Sequence, residues 1–205
     1  MDTGIDQGTL SGIVAVIAGI GLSAAAGFRV FIPMLVLSIA GRSGAIELGD
    51  SFQWLESWPA LLALCTATVA EVAAYYIPWV DNALDSIATP AALVAGTVIS
   101  AAVLPDINPG VKWTLAAIMG GAPAGVVQAG TVLTRGTSTA TTGGMGNPIV
   151  STVEAGSSLV TAILALVIPI LIGIIVLCIV LWLCVKLIKR FRRNHPPRPS
   201  GAAAT

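Results

Sequence analysis

Long apolar runs leave this chain few ways to fold. A bilayer core of about 30 Å takes about 20 apolar residues as a helix. Five stretches meet or approach that length: about Leu10 to Ala40, Pro59 to Ile77, about Asp81 to Leu104, Val111 to about Leu133, and Ile149 to Ile188. The chain is 56% hydrophobic and only 10% charged, with mean hydropathy +0.92. A soluble domain carries about a quarter charged residues, and a water-facing surface can hardly be built from so few. The expected fold is all-α, a polytopic helical membrane bundle of about five transmembrane segments. Residues 1–10 read as a short N-terminal extension, 11–188 as the transmembrane domain and 189–205 as a basic, Pro-rich cytoplasmic tail.

The first and fifth stretches are too long for one straight span. An unbroken helix from Leu10 to Ala40 would measure about 46 Å at 1.5 Å per residue, so a break is expected at Ala24 to Gly27. Pro169 sits near the middle of the fifth. Each is either a tilted, kinked helix or a half-helix pair that re-enters. Pro59 suits a helix start. Gly41 to Trp58, Pro105 to Pro109 and the Gly- and Thr-rich Gly136 to Pro148 read as connections.

Charge is unevenly placed. Lys186, Lys189, Arg190, Arg192, Arg193 and Arg198 follow Val185, whereas every Asp and Glu lies at or before Glu154. Lys and Arg flanking a span stay cytoplasmic, so the C-terminus is expected inside. Five crossings then place the acidic N-terminus outside, the Arg42 loop inside, Asp81 outside, Lys112 inside and Gly136 to Pro148 outside. Trp54, Trp58, Trp79 and Trp113 suit interfacial belts.

Ionisable residues at membrane depth cost roughly 2.5 kcal/mol or more each, which makes them the best functional pointers. Arg29 follows the small-residue break, and Glu71 lies inside the second stretch. Asp81 and Asp85 share a helical face with Thr89. Gln128, Thr131 and Arg135 form a stripe on the fourth stretch. Glu154 shares a face of the fifth with Ser151, Ser158 and Thr161. These residues either pair only with one another for packing or line a polar site at the bundle centre. Arg29, Glu71, Asp81, Asp85, Gln128, Arg135 and Glu154 are the candidate polar site. Arg29 is expected to pair with Glu71 first, then Asp81 or Asp85. The stripes Gly121-x-x-x-Gly125 to Ala129 and Ala92-x-x-x-Gly96-x-x-x-Ser100 read as close helix contacts within one protomer.

No catalytic, cofactor or metal signature stands out. Cys65, Cys178 and Cys184 lie in apolar runs without a C-x-x-C pair. The only His is His195, in the tail. No cleavable signal peptide is evident. Thr141 to Gly146 faintly resembles a potassium filter, although short Thr/Gly runs are ordinarily loops. Asp81-x-x-x-Asp85 matches the close of a CDP-alcohol transferase motif, but the upstream Asp-Gly element is absent. Gly21 to Pro33 and Gly136 to Pro148 share Gly, Ser, Ala and a final Pro without gaps, a weak repeat signal.

Three stretches, GLSAAAGFRVFIP, SWPALLALCTATVAEVAAYYIPWVDNALDSIATPAA and RGTSTATTGGMGNP, together resemble a bacterial membrane family catalogued as domain of unknown function 4126. The likeness covers roughly Gly21 to the end of the fifth stretch. E-x-x-x-Y-x-x-P-W-V-D, Glu71 to Asp81, is its most specific piece. It implies a multi-helix bacterial membrane protein and supplies no activity; the expected location is the bacterial inner membrane. The expected function is a small transporter or channel for an ion or small polar solute. A non-catalytic integral subunit or scaffold is the runner-up, and an intramembrane enzyme comes third. The expected partners are the lipid bilayer and, for either reading, further copies or membrane-complex proteins; no nucleic acid and no cofactor is expected.

Overall fold

Prolines set where the helices begin. In the computed structural model, which describes residues 7–194, the elements are α1 (Gln7–Ala26), α2 (Phe31–Arg42), a 3₁₀ helix (Asp50–Glu56), α3 (Trp58–Ala74), α4 (Pro78–Val103), α5 (Pro109–Ala116), a π-helical turn (Ala117–Gly121), α6 (Ala122–Thr142), α7 (Asn147–Val167) and α8 (Pro169–Asn194). Proline stands in the first two positions of α3, α4, α5 and α7 and opens α8, where its missing N–H leaves no bond unmade; Pro123 instead follows the π turn inside the continuous Pro109–Thr142 helix. Ser57 and Asn108 add side-chain caps, accepting from the N–H of Ala60 at 3.3 Å and of Gly110 at 3.0 Å.

The chain is all-α among its described residues, and it is a membrane protein by the length and apolarity of its helices. Trp79–Val103, Pro109–Thr142 and Asn147–Val167 are each long and apolar enough to cross a bilayer. The 3₁₀ helix and α3, bent by 69°, make a fourth span if they act together. Shorter apolar helices occupy Gly12–Ala26, Phe31–Arg42 and Pro169–Leu183. The two overlong stretches are both broken. The first break falls at 27–30, just after the expected Ala24 to Gly27, and the second falls at Ile168, directly before Pro169. The basic run continues helically to Asn194 in α8. The Pro-rich tail and His195 lie outside the described residues.

One expected connection is not a loop. Gly136 to Thr142 continue α6, and only Gly143 to Gly146 turn. Thr137, Thr141 and Thr142 donate to the carbonyls of Leu133, Thr137 and Ser138 at 2.7–2.8 Å. These i−4 bonds bury the hydroxyls' polarity in the helix itself. Left-handed Gly143 (φ 65°) then ends α6, as a C-terminal glycine does.

Both broken stretches fold back as helix pairs, α1 with α2 and α7 with α8, which changes the ends that the five-crossing expectation assigns. At one end of the bundle, the start of α1 near Gly12, the Gly44 to Asp50 loop, Val103 to Asp106 and Pro169 surround a vestibule of about 640 Å³. The α1–α2 break, the α3–α4 turn and the α6–α7 turn all lie at the other end. Helix α8 runs beside α1 in the same direction. A side chain at Gly173 would meet Ile17, one at Gly21 would meet Ile172, and Ile179 and Leu183 share a cavity with Phe28. The Arg42 loop therefore shares an end with the start of α1, and the basic end of α8 shares one with the Gly143 turn. In a cysteine-free background, Met145→Cys and Lys189→Cys are expected to react with an impermeant maleimide from the same face of intact cells. Labelling from opposite faces would contradict this arrangement.

The tryptophans mark both rims. Trp54, Trp58 and Trp113 are exposed at the vestibule end and Trp79 at the other. At the vestibule rim, Lys112 donates to Asp106 Oδ1 at 2.9 Å and the Asp50 N–H donates to Oδ2 at 3.1 Å. The Lys112 bond, helped by that N–H, holds the Asp106 carboxyl below its ordinary range.

Helices approach most closely where both stripes are small. Ala124 and the Gly120 carbonyl pack on Gly96, and Ser100 and the Gly96 carbonyl pack on Gly120. Ser23 Oγ donates to the Gly96 carbonyl at 2.8 Å, which ties α1 to the pair. Lipid gives helices no hydrophobic reason to associate, so such van der Waals contacts and hydrogen bonds hold the bundle. The α4 stripe thus meets the π turn and α6 within one chain, but through Gly120 and Ala124 rather than the expected Gly121 to Ala129 row, of which Gly121 and Gly125 pack on Thr97 and Leu93 and Ala129 is exposed.

Candidate functional site

Two helical stripes with 4-3-4 spacing carry most of the site. On α6, Ala124, Gln128, Thr131 and Arg135 are buried; on α7, Asn147, Ser151, Glu154 and Ser158 are buried. Residues so spaced share one face. Helix α4 adds Asp81 and Asp85 from its first two turns; α3 adds Glu71 from its last turn and Tyr75 from the residue that caps it. Arg29 comes from the break between α1 and α2. That break is possible because Gly27 lies against α6: a Cβ there would sit 2.6 Å from Val127 Cβ and 3.0 Å from the Gln128 nitrogen.

Arg135 is the centre of the cluster. Its Nε donates to both oxygens of Glu154 at 3.1 Å. Nη1 pairs with Asp81 Oδ1 and lies 3.4 Å from Asp85 Oδ1. Nη2 donates to Glu154 Oε2 and, at 3.0 Å, to Ser151 Oγ. Asn147 Nδ2 donates to the second oxygen of Asp81 at 3.0 Å. A planar guanidinium with five donors suits this fan of carboxylates.

Arg29 is only 2% exposed. Its Nη2 lies 3.2 Å from Glu154 Oε2 and donates to the Ser151 carbonyl at 3.2 Å. Its Nε and Nη1 have no hydrogen-bond partner. Tyr75 serves both cations, its ring centroid lying 3.7 Å from Arg29 Cζ and 4.4 Å from Arg135 Cζ. Cation–π attraction of about 0.5–2 kcal/mol per contact offsets part of the repulsion between the guanidiniums.

The expected Arg29–Glu71 pair does not form. Glu71 Oε1 and Oε2 instead accept from the N–H groups of Val30 and Phe31 at 2.8 and 3.1 Å. The first N–H groups of a helix lack intrahelical partners and carry partial positive charge. Val30 provides no side-chain cap for α2, so the α3 carboxylate does this from a neighbouring helix. Arg29 is thereby left to Glu154.

All seven expected site residues gather in one region. Gln128 joins at the edge, lining a cavity with Arg29, Glu71 and Tyr75. Tyr75, which the E-x-x-x-Y motif contains, and Asn147 are not among the expected site residues. Tyr75 stands four residues after Glu71 and Asn147 seven before Glu154, so helical spacing from the charged residues would have found both. Thr89 is exposed and takes no part.

The carboxylates converge on a guanidinium rather than on one another. Among the described residues, no group of three or more His, Cys, Asp or Glu side chains is placed to hold a metal ion. Cys65 and Cys178 are exposed on the outer surface, and the side chain of Cys184 lies outside the described residues. A family model described as a domain of unknown function (DUF4126) matches residues 16–190. No curated protein and no solved structure matches the chain.

Proposed function

Since the chain belongs to the family described as a domain of unknown function (DUF4126), a description without an activity, we propose from the site itself that this protein is a small transporter or channel for an ion or small polar solute. The observation that carries the reading is the charge balance of the buried cluster. Glu71 is compensated by the α2 N-terminus. Three carboxylates, Asp81, Asp85 and Glu154, then share two guanidiniums. One negative charge is left over, and an uncompensated charge at this depth is costly. A proton or small cation that comes and goes would balance it.

Asp85 is the group for that exchange. Its side chain is 29% exposed against 2% for Asp81, and its contact to Arg135, at 3.4 Å, is the longest Arg135 makes to a carboxylate. At the other end, Glu47, Asp50 and Asp106 give the vestibule an acidic rim. Leu22, Ile99, Ala162 and Ala165, all fully buried, pack between vestibule and cluster as a closed layer. This arrangement fits a pathway with its gate shut.

The positive-inside rule puts the Lys186 to Arg193 end in the cytoplasm of a bacterial inner membrane. The cluster then lies toward the cytoplasmic side and the vestibule faces out. A scaffold within a larger membrane complex is the second reading. It is favoured by Asp81 and Glu154, whose oxygens are all occupied, as in a network that serves only packing.

The test is ion movement in proteoliposomes under an imposed potential, followed with an internal pH dye and a sodium dye. Wild-type protein is expected to pass one of these ions above the empty-liposome rate. Asp85→Asn is expected to slow it about tenfold or more, the loss of one required charge, with an unfolding midpoint no lower than that of the wild type. Wild-type liposomes as tight as empty ones to both ions would sink the proposal and leave the scaffold reading.

A further inference from the structure

A second feature next to the cluster is unused by ion movement. Helix α3 packs on α2 and the 3₁₀ helix and does not lie along α4. A cavity of about 410 Å³ opens between them, within the range of roughly 300–1,000 Å³ typical of small-molecule sites. Alanines make the room: Ala67, Ala70 and Ala74 on α3 face Ala88 and Ala91 on α4. The 67, 70, 74 and 84, 87, 88, 91 spacings each trace one helical stripe. Two helices with such small side chains would normally close on each other in lipid, yet here they stand apart.

The polar floor of this cavity is Arg29, Glu71, Tyr75 and Gln128, with both Glu71 oxygens already held by the N–H groups of Val30 and Phe31. Arg29, buried as it is, keeps two donor nitrogens, Nε and Nη1, with no acceptor. Buried donors are almost always satisfied, and an orphaned pair on a cavity-lining arginine points to an acceptor that the chain does not itself supply.

We propose that the α3–α4 cavity binds an uncharged amphiphile from the bilayer, whose carbonyl oxygen accepts from Arg29 and whose apolar body lies between the alanine faces. The charge of the head follows from the cluster. Carboxylates already exceed guanidiniums there, so an anionic head would add negative charge with no cation to meet it. A cationic head would face Arg29 itself. A neutral carbonyl satisfies the donors and leaves the balance unchanged, and the apolar walls take up the remainder of the molecule.

The probe is a monoacylglycerol carrying a diazirine in its chain, photolysed with the purified full-length protein in detergent and mapped by mass spectrometry. Adducts are expected on 67–74 and 84–91. Excess monoolein is expected to reduce them about tenfold, and hexadecane, which has no acceptor, to leave them unchanged. Arg29→Met is expected to lower labelling at these sites. Ala70→Leu, at an exposed position that folding tolerates, is expected to lower it by filling the cavity. Competition by palmitate but not by monoolein would show an anionic head and overturn the proposal. Adducts spread equally over the outer face of α8, and insensitive to Ala70→Leu, would overturn it as well, since the cavity would then be an ordinary lipid-filled groove.

Discussion

Arg135→Met is expected to cost about 3–5 kcal/mol of stability, the usual penalty for removing one partner from a buried charge network. The reason lies in the contacts that vanish together. Glu154 loses its bidentate partner, Asp81 loses the cation at Oδ1, and Asp85 loses its Arg135 contact. Met fills a similar volume, so the loss reports charge rather than a void. Adding Glu154→Gln to the same chain is expected to recover part of the loss, because an amide needs no cation. Arg29→Met is expected to cost less, since Arg29 makes one ion pair and one hydrogen bond and leaves two donors unused. Unfolding in mixed detergent–SDS micelles measures all three. A loss below about 1 kcal/mol for Arg135→Met, the range of an exposed pair, would show that the cluster is hydrated and not a buried network.

Gly120→Val is expected to cost about 3 kcal/mol or more, at or above the upper end of ordinary overpacking. Overpacking is mild when a flexible side chain can swing away. Here the added Cβ would press on the Gly96 carbonyl oxygen, which is backbone, and lie 2.5 Å from Ser100 Cβ. Helix α4 would have to separate from the π turn, and Ser23 would lose its bond to Gly96. Gly130 provides the contrast. Nothing lies within 4 Å of a Cβ there, so Gly130→Ala is expected to be neutral or to stabilise by up to about 1 kcal/mol through helix propensity. The same micelle unfolding assay compares them. Equal effects at the two positions would show that the α4–α6 contact is loose.

Much of the site was legible because its residues violate the composition around them. An Arg, Asp or Glu in a long apolar run must be buried with a partner, and 3–4 spacing shows which face each occupies. That logic picks out Arg29, Glu71, Asp81, Asp85, Gln128, Arg135 and Glu154 without any structure. It fails on pairing. Glu71 and Glu154 are both carboxylates at depth, and nothing local says that the first would cap α2 through two backbone N–H groups and leave Arg29 to the second. Tyr75 stands in the E-x-x-x-Y motif, yet an aromatic in an apolar helix looks like ordinary packing until two guanidiniums lie against its ring.

The helices themselves are a property of the linear chain. Apolar length, proline at helix starts, the small residues up to Gly27 and the Ile168–Pro169 step act within a few residues of each other, so reading along the sequence suffices to place segments and their breaks. The direction each broken segment takes after its break is set by contacts far apart in the chain. Gly21 against Ala165 and Ile172, Gly173 against Ile17, and Gly27 against α6 fold α2 back beside α1 and bring α8 down along it. Those glycine contacts reverse the expected placement of the Gly143 turn relative to the basic helix end. They also carry five separate polar segments to one place, because backbone approach at a glycine depends on which helix arrives there, and only the packed bundle decides that.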